Sequence, residues 1–156
     1  MNPAHIDFHL LTLEDDEEDT LLMSSVCDRF NDAQSELRVR LRACSDRGEL
    51  EYWLEHFSET GRRGLVLLDV DLGKSNGLNV LDGIKSRAHG CGFPVVIHTS
   101  SVSENDRQFA ELALANAYVL KSAAFDTMYT NITSLIQFFG LVNHYPMTGT
   151  RRQLCT

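Results

Sequence analysis

Cysteine is scarce and scattered in this chain of 156 residues: Cys27, Cys44, Cys91 and Cys155 form no CxxC pair. That spacing excludes a compact thiol zinc site and a dense disulfide framework, and it fits reduced, idle thiols. Basic charge is also in deficit. A net charge of −8 argues against nucleic-acid binding, which needs clustered Lys and Arg to meet phosphates. The local exception is Arg38, Arg40 and Arg42, with Arg47 nearby. The first three alternate with Val39 and Leu41 and read as the solvated face of a strand. No apolar run reaches bilayer-spanning length, and Met1 to Asp7 shows no basic-then-apolar leader. A cytoplasmic protein with no membrane contact is therefore expected. Repeats and low-complexity tracts are missing as well. What is present is ordinary: 43% hydrophobic and 23% charged residues, enough chain for one buried core.

The apolar pattern alternates between two periods. Leu10 to Leu13 is a short apolar run ending in acids, as a buried strand would. Asp15 to Asp19 supply acidic charge to a helix start, followed by Leu21, Leu22, Val26 and Phe30 at helical spacing. Leu37 to Cys44 alternates as a strand. Ser45 or Asp46 can cap a helix carrying Leu50, Trp53, Leu54 and Phe57 and stopping at Gly61. Gly64 to Val70 is the clearest buried strand, followed by a helix from Leu78 to Arg87. Pro94 to Thr99 is a strand, Glu104 to Asn116 a helix, Ala117 to Lys121 a strand, and Asp126 to Val142 a last amphipathic helix. Five β-α units call for an α/β domain over 7–142, a parallel sheet with helices on both faces. Residues 143–156, with Pro146 and Gly149, read as a C-terminal tail.

Polar residues gather at the carboxyl ends of these strands, where doubly wound sheets place their sites. They are Glu14-Asp15-Asp16, Asp69-Val70-Asp71, Thr99-Ser100-Ser101 and Lys121. Carboxylates crowded at one sheet edge repel unless a cation joins them, and a hard divalent ion such as Mg²⁺ suits this donor set. A carboxylate beside that ion can attack phosphorus to form an aspartyl phosphate. Lys121 and the Thr99 hydroxyl are then placed to hold phosphoryl oxygens.

This ordered set resembles the receiver domain of two-component response regulators. Thr99 follows Asp69 by thirty residues and Lys121 follows Thr99 by twenty-two, both the family's usual intervals. The resemblance implies a flavodoxin-like fold with strand order 2-1-3-4-5 and Asp69 as phosphoacceptor. It implies Thr99 and Tyr118 as switch residues, and Mg²⁺ held by Asp15 and Asp69 directly, Glu14 through water and Asp71 through its main-chain carbonyl. Gly77 matches the glycine that opens the following helix. Residues 115–121 and 135–139 further resemble the single-domain regulators that partner bacterial phytochromes. Three positions depart from the family pattern: Ser122 stands where proline is usual, Gly73 likewise, and Asn76 replaces an aspartate.

Other readings fit some of the same residues. Asp16 to Asp19 read as helix-start charge, favourable to the helix dipole. His98 reads as a packed core histidine, and Tyr118 as either core aromatic or switch. Asp69-Val70-Asp71 also resembles the haloacid-dehalogenase phosphatases, but there the nucleophile strand opens the domain and further acids follow the lysine. A degenerate receiver serving as a phosphorylation-independent binding module is the third reading. The receiver reading expects a non-enzyme whose partner is a sensor histidine kinase, a bacteriophytochrome among the candidates. It places the outgoing signal, and a homodimer contact, on the fourth helix, fifth strand and fifth helix. Leu135, Ile136, Phe138, Phe139, Leu141 and Val142 exceed what one buried stripe absorbs, so part of them should be exposed unless the tail covers them.

Overall fold

The computed structural model describes residues 4–33, 36–60, 62–72, 76–90 and 92–142. Along them run β1 (Ile6–Leu13), α1 (Glu17–Ala33), β2 (Leu37–Cys44), α2 (Arg47–Thr60), β3 (Arg63–Leu68), α3 (Gly77–Gly90), β4 (Val95–Thr99), α4 (Glu104–Leu112), β5 (Ala117–Leu120) and α5 (Phe125–Gln137). A π-helical turn, Phe138–Val142, continues α5. The strands pair in parallel in the order β2-β1-β3-β4-β5, the flavodoxin-like order that the resemblance implies. The tail 143–156, Gly73 and the Gly61 stop lie outside the described residues.

Strand periodicity divides the core in two. Leu11, Leu13, Val66, Leu68, Val95 and Ile97 face Leu50, Leu54, Leu81 and Ile84 of α2 and α3. Phe8, Leu10, Leu65, Leu67 and Val96 face Val26 and Phe30 of α1 and Ile132 and Ile136 of α5. The central strands are thus apolar on both sides, as a covered parallel sheet requires. Arg38, Arg40 and Arg42 are exposed along edge strand β2, as the alternation indicated.

Several element ends differ from the sequence expectation: β1 begins at Ile6, ahead of its apolar run, β3 closes at Leu68 and α3 runs on to Gly90. Helix α4 stops at Leu112, four residues early. Asn116 is instead tied to the head of β4: its side chain accepts the Val95 N–H at 2.8 Å and its own N–H donates to Val95 O at 2.7 Å. The chain must leave the helix to reach that position. At the other end, α5 widens where Gly140 meets Leu37; a Cβ on Gly140 would lie 2.6 Å from Leu37 Cδ1. Phe139 is buried, while Phe138 and Val142 are exposed, so the expected surplus of apolar surface is present.

Candidate functional site

The carboxyl ends of β1, β3, β4 and β5 converge on one cleft. Each site residue enters it immediately at or after a strand end: Glu14 after β1, Asp69 after β3, Thr99 closing β4, Lys121 after β5. Backbone bonds fix these ends. The Asp69 N–H donates to Leu13 O at 3.4 Å, and the Lys121 N–H donates to Thr99 O at 2.8 Å. Gly77 permits the closest approach: a Cβ there would lie 1.7 Å from the Asp69 carbonyl oxygen. Asn76, the departure from aspartate, accepts the Leu78 N–H at 2.8 Å and so caps α3.

Lys121 is the centre of the cleft. Its ammonium donates to Glu14 Oε2 at 2.5 Å, Asp19 Oδ2 at 2.6 Å and Asp69 Oδ2 at 2.7 Å. The other Asp69 oxygen accepts the Asp71 N–H at 3.2 Å, and the Thr99 hydroxyl lines the same cleft. Burial works to raise the Asp69 carboxyl, but the hydrogen bonds and charge of Lys121, then Thr99 and the Asp71 N–H, override it and hold the group below its ordinary range. Burial prevails at Glu14, whose carboxyl is raised despite Lys121. Lys121 is raised: burial opposes its charge, and three carboxylates more than offset that.

Glu14, Asp15, Asp16, Asp19, Asp69 and Asp71 all line the open cleft, and among the described residues lining it Lys121 is the one cation. One oxygen each from Glu14, Asp19 and Asp69 lies within 4.8 Å of the others. Hard oxygen donors this close fit a divalent cation. Asp15 and Asp71 are exposed at the lip. Asp16 caps α1, its Oδ1 accepting the Glu18 N–H at 2.8 Å.

From sequence Asp19 reads as helix charge alone; its contact with Lys121 is the part of the site that this reading misses. A signal was present. Asp19 precedes Met23 by four residues and Val26 by seven, so it continues the buried stripe of α1 and faces the sheet.

Thr99 is buried at the end of β4, its hydroxyl oxygen accepting the Ser101 N–H at 3.2 Å. The Tyr118 hydroxyl donates to Ser101 O at 3.0 Å, and its ring packs against the α2–α3 core. Tyr118 and Thr99 therefore grip the same residue of the β4–α4 loop from two sides. His98 is buried; desolvation first and Lys121 second lower it to about 4, which keeps it neutral. The Lys121–Ser122 peptide is trans, as are all described peptide bonds. Ser122 Oγ accepts the Ala124 N–H at 3.2 Å at the entry to α5.

No family model matches the chain. A probable methanogenesis regulatory protein, FilR2 of Methanothrix harundinacea, is 28% identical over 136 residues, covering 85% of this chain and 83% of that protein. Among solved structures, the phosphorylated cyanobacterial phytochrome response regulator RcpA superposes with a TM-score of 0.72 at 26% identity, over 92% of this chain and 99% of that one. The Mn²⁺-bound form of response regulator Rcp1 gives 0.67 at 26% identity, over 86% and 96%. These neighbours support a response-regulator role. In fold and in order of sequence, the chain is similar to the receiver domains of response regulators, those of phytochrome response regulators included.

Proposed function

We propose that Asp69 accepts a phosphoryl group from a sensor histidine kinase in a Mg²⁺-dependent reaction, and that the modified chain signals through a changed protein-binding surface. The observation that carries this reading is the Lys121 ammonium 2.7 Å from Asp69 Oδ2, in a cleft that the Thr99 hydroxyl also lines. An Asp69 oxygen attacks phosphorus and a P–O bond forms. The bond from phosphorus to the donor breaks, its electron pair leaving with the kinase imidazole or, for acetyl phosphate, with acetate. Asp69 reacts as the carboxylate, which its lowered pKa keeps populated. Lys121 and Thr99 are placed to hold phosphoryl oxygens. Asp69, Asp15 at the lip, Glu14 and the Asp71 main chain would hold Mg²⁺, which when bound supplies positive charge against the transferred group.

The chain acts here as an acceptor and switch, not as a turnover enzyme, and a cytoplasmic kinase, a bacteriophytochrome in particular, is the partner that the likeness to RcpA suggests. Tyr118 supports the switch reading. A Thr99 hydroxyl drawn onto a phosphoryl oxygen would release Ser101, and Tyr118 holds that residue's carbonyl. The surface nearest this loop is α4, with Leu112 and Phe109 exposed, and it is the proposed contact for a kinase or a second copy. The test is intact mass after acetyl phosphate and Mg²⁺: a gain of one phosphoryl group, lost in Asp69→Asn. Labelling that persists in the variant would overturn the assignment. Asp15→Asn should weaken Mg²⁺ binding by titration while the protein stays folded.

A further inference from the structure

Lys121 has three donors, and all three end on carboxylates. Two of those carboxylates, Glu14 and Asp69, are the deep ones, with side chains 11% and 8% exposed. They also have other tasks in the receiver reading. The third, Asp19, has none assigned to it. It is 35% exposed, and it stands on the first turn of α1, where its N–H donates to Asp16 Oδ1 at 3.2 Å. Its position is set by the helix and not by the strand ends. An ammonium shared among three acids moves toward whichever acid keeps its charge free. Once Glu14 and Asp69 are engaged by a cation, or Asp69 is esterified to phosphorus, Asp19 is the remaining anion within reach of Nζ.

We infer that Asp19 is the anchor of Lys121: it holds the ammonium on the α1 side of the cleft and competes with a phosphoryl oxygen on Asp69 for it. This rests on the receiver reading, and it makes Asp19 a positioning residue that acts through Lys121. The consequence is directional. With Asp19 neutralised, Lys121 passes fully to the phosphoryl group. Uptake from a small donor becomes faster. Loss becomes faster as well, because the same ammonium holds the phosphoryl oxygens when water attacks phosphorus, the P–O bond breaks with its pair returning to the Asp69 carboxylate, and the water proton leaves to solvent.

Two measurements test this. The first uses the protein without cation or phosphodonor, following the Lys121 Nζ ammonium by ¹⁵N NMR. The signal should be sharp in the wild type, where three hydrogen bonds slow its exchange, and should broaden or shift in Asp19→Asn but much less in Asp19→Glu. The second measures acetyl phosphate uptake and phosphoryl half-life. Asp19→Asn should raise the first and shorten the second by about fivefold each, the scale of one partly exposed ion pair. In a Lys121→Gln background the same substitution should change neither. An Asp19→Asn effect that survives in that background is plain charge relief and overturns the anchor. So does an unmoved ammonium signal. A wild type that takes up no phosphoryl group overturns the receiver reading instead, and the ammonium signal still decides whether Asp19 anchors Lys121.

Discussion

Two imidazoles are buried on opposite faces of the sheet. His98 lies beside Met128 and Lys121 on the α1–α5 side, and His9 packs against Phe57 on the α2–α3 side, the ring centroids 4.4 Å apart and the planes tilted by 35°. Desolvation leads the causes that lower each to about 4, joined at His9 by Arg62 and Arg42 and at His98 by Lys121. Their folded pKa values lie below the unfolded value of 6.5, so between about 6.5 and 4 the unfolded chain binds more protons. The stability they contribute is present above pH 6.5 and is lost as pH falls toward 4. His9 also leaves both ring nitrogens without a hydrogen-bond partner, which costs about 1–3 kcal/mol for a buried polar group. His9→Leu is therefore expected to stabilise the fold at pH 7 by an amount of that order, and to flatten the pH slope in that window by roughly half, His98 supplying the rest. Urea unfolding at pH 7 and pH 5 checks both; a variant less stable than wild type at each pH refutes the argument.

At the scale of elements, the end of α4 shows what the sequence could and could not reveal. The Leu114 N–H donates to Glu111 O and the Ala115 N–H to Ala110 O, at 3.0 and 2.9 Å, the paired bonds of a Schellman close. That close needs a left-handed residue at Leu114, whose φ is 64°. Glycine usually marks such a stop. With leucine there, Ala113 to Ala115 read as more helix, and the sequence pattern runs on to Asn116. Strand β2 was legible to the residue because its alternation is strict. Asp69, Thr99 and Lys121 were legible because each directly follows or ends an apolar run. Asp19 was not, since acids in a first turn already have a sufficient reason in the helix dipole. Leu114 is exposed, so Leu114→Gly loses little packing. Relief of the left-handed strain, about 1–2 kcal/mol, outweighs glycine's extra chain entropy of roughly 0.5–1 kcal/mol. A rise in denaturant midpoint is expected, and a fall would contradict the strain. Gly77→Ala should act in the opposite sense. The added Cβ meets the Asp69 carbonyl and must displace that loop, costing about 1–3 kcal/mol and slowing phosphoryl uptake at Asp69.

For the whole molecule the opposing terms are charge and exposed apolar surface. A chain carrying −8 repels its own copy, and that repulsion is screened over about 8–10 Å at ordinary ionic strength. Against it stand Leu112, Phe109 and Val102 around α4, Leu120 on edge strand β5, and Phe138 and Val142 at the end of α5, all exposed. Apolar contact is indifferent to salt, whereas like-charge repulsion weakens as salt is added. If α4 and its neighbours form the contact between copies, self-association should therefore strengthen from low to moderate salt, the reverse of an interface built on ion pairs. The choice of variant follows from burial. Phe139 is only 8% exposed and packs in the α1–α5 core, so Phe139→Glu would unfold the chain and report nothing about its surface. Leu112, 82% exposed, tolerates a glutamate. Sedimentation of the wild type at two ionic strengths should show a salt-promoted dimer, stronger after phosphoryl uptake, and Leu112→Glu should abolish it with the unfolding midpoint unchanged. A wild type that sediments as a monomer at high concentration in both salts would leave this face to the kinase alone.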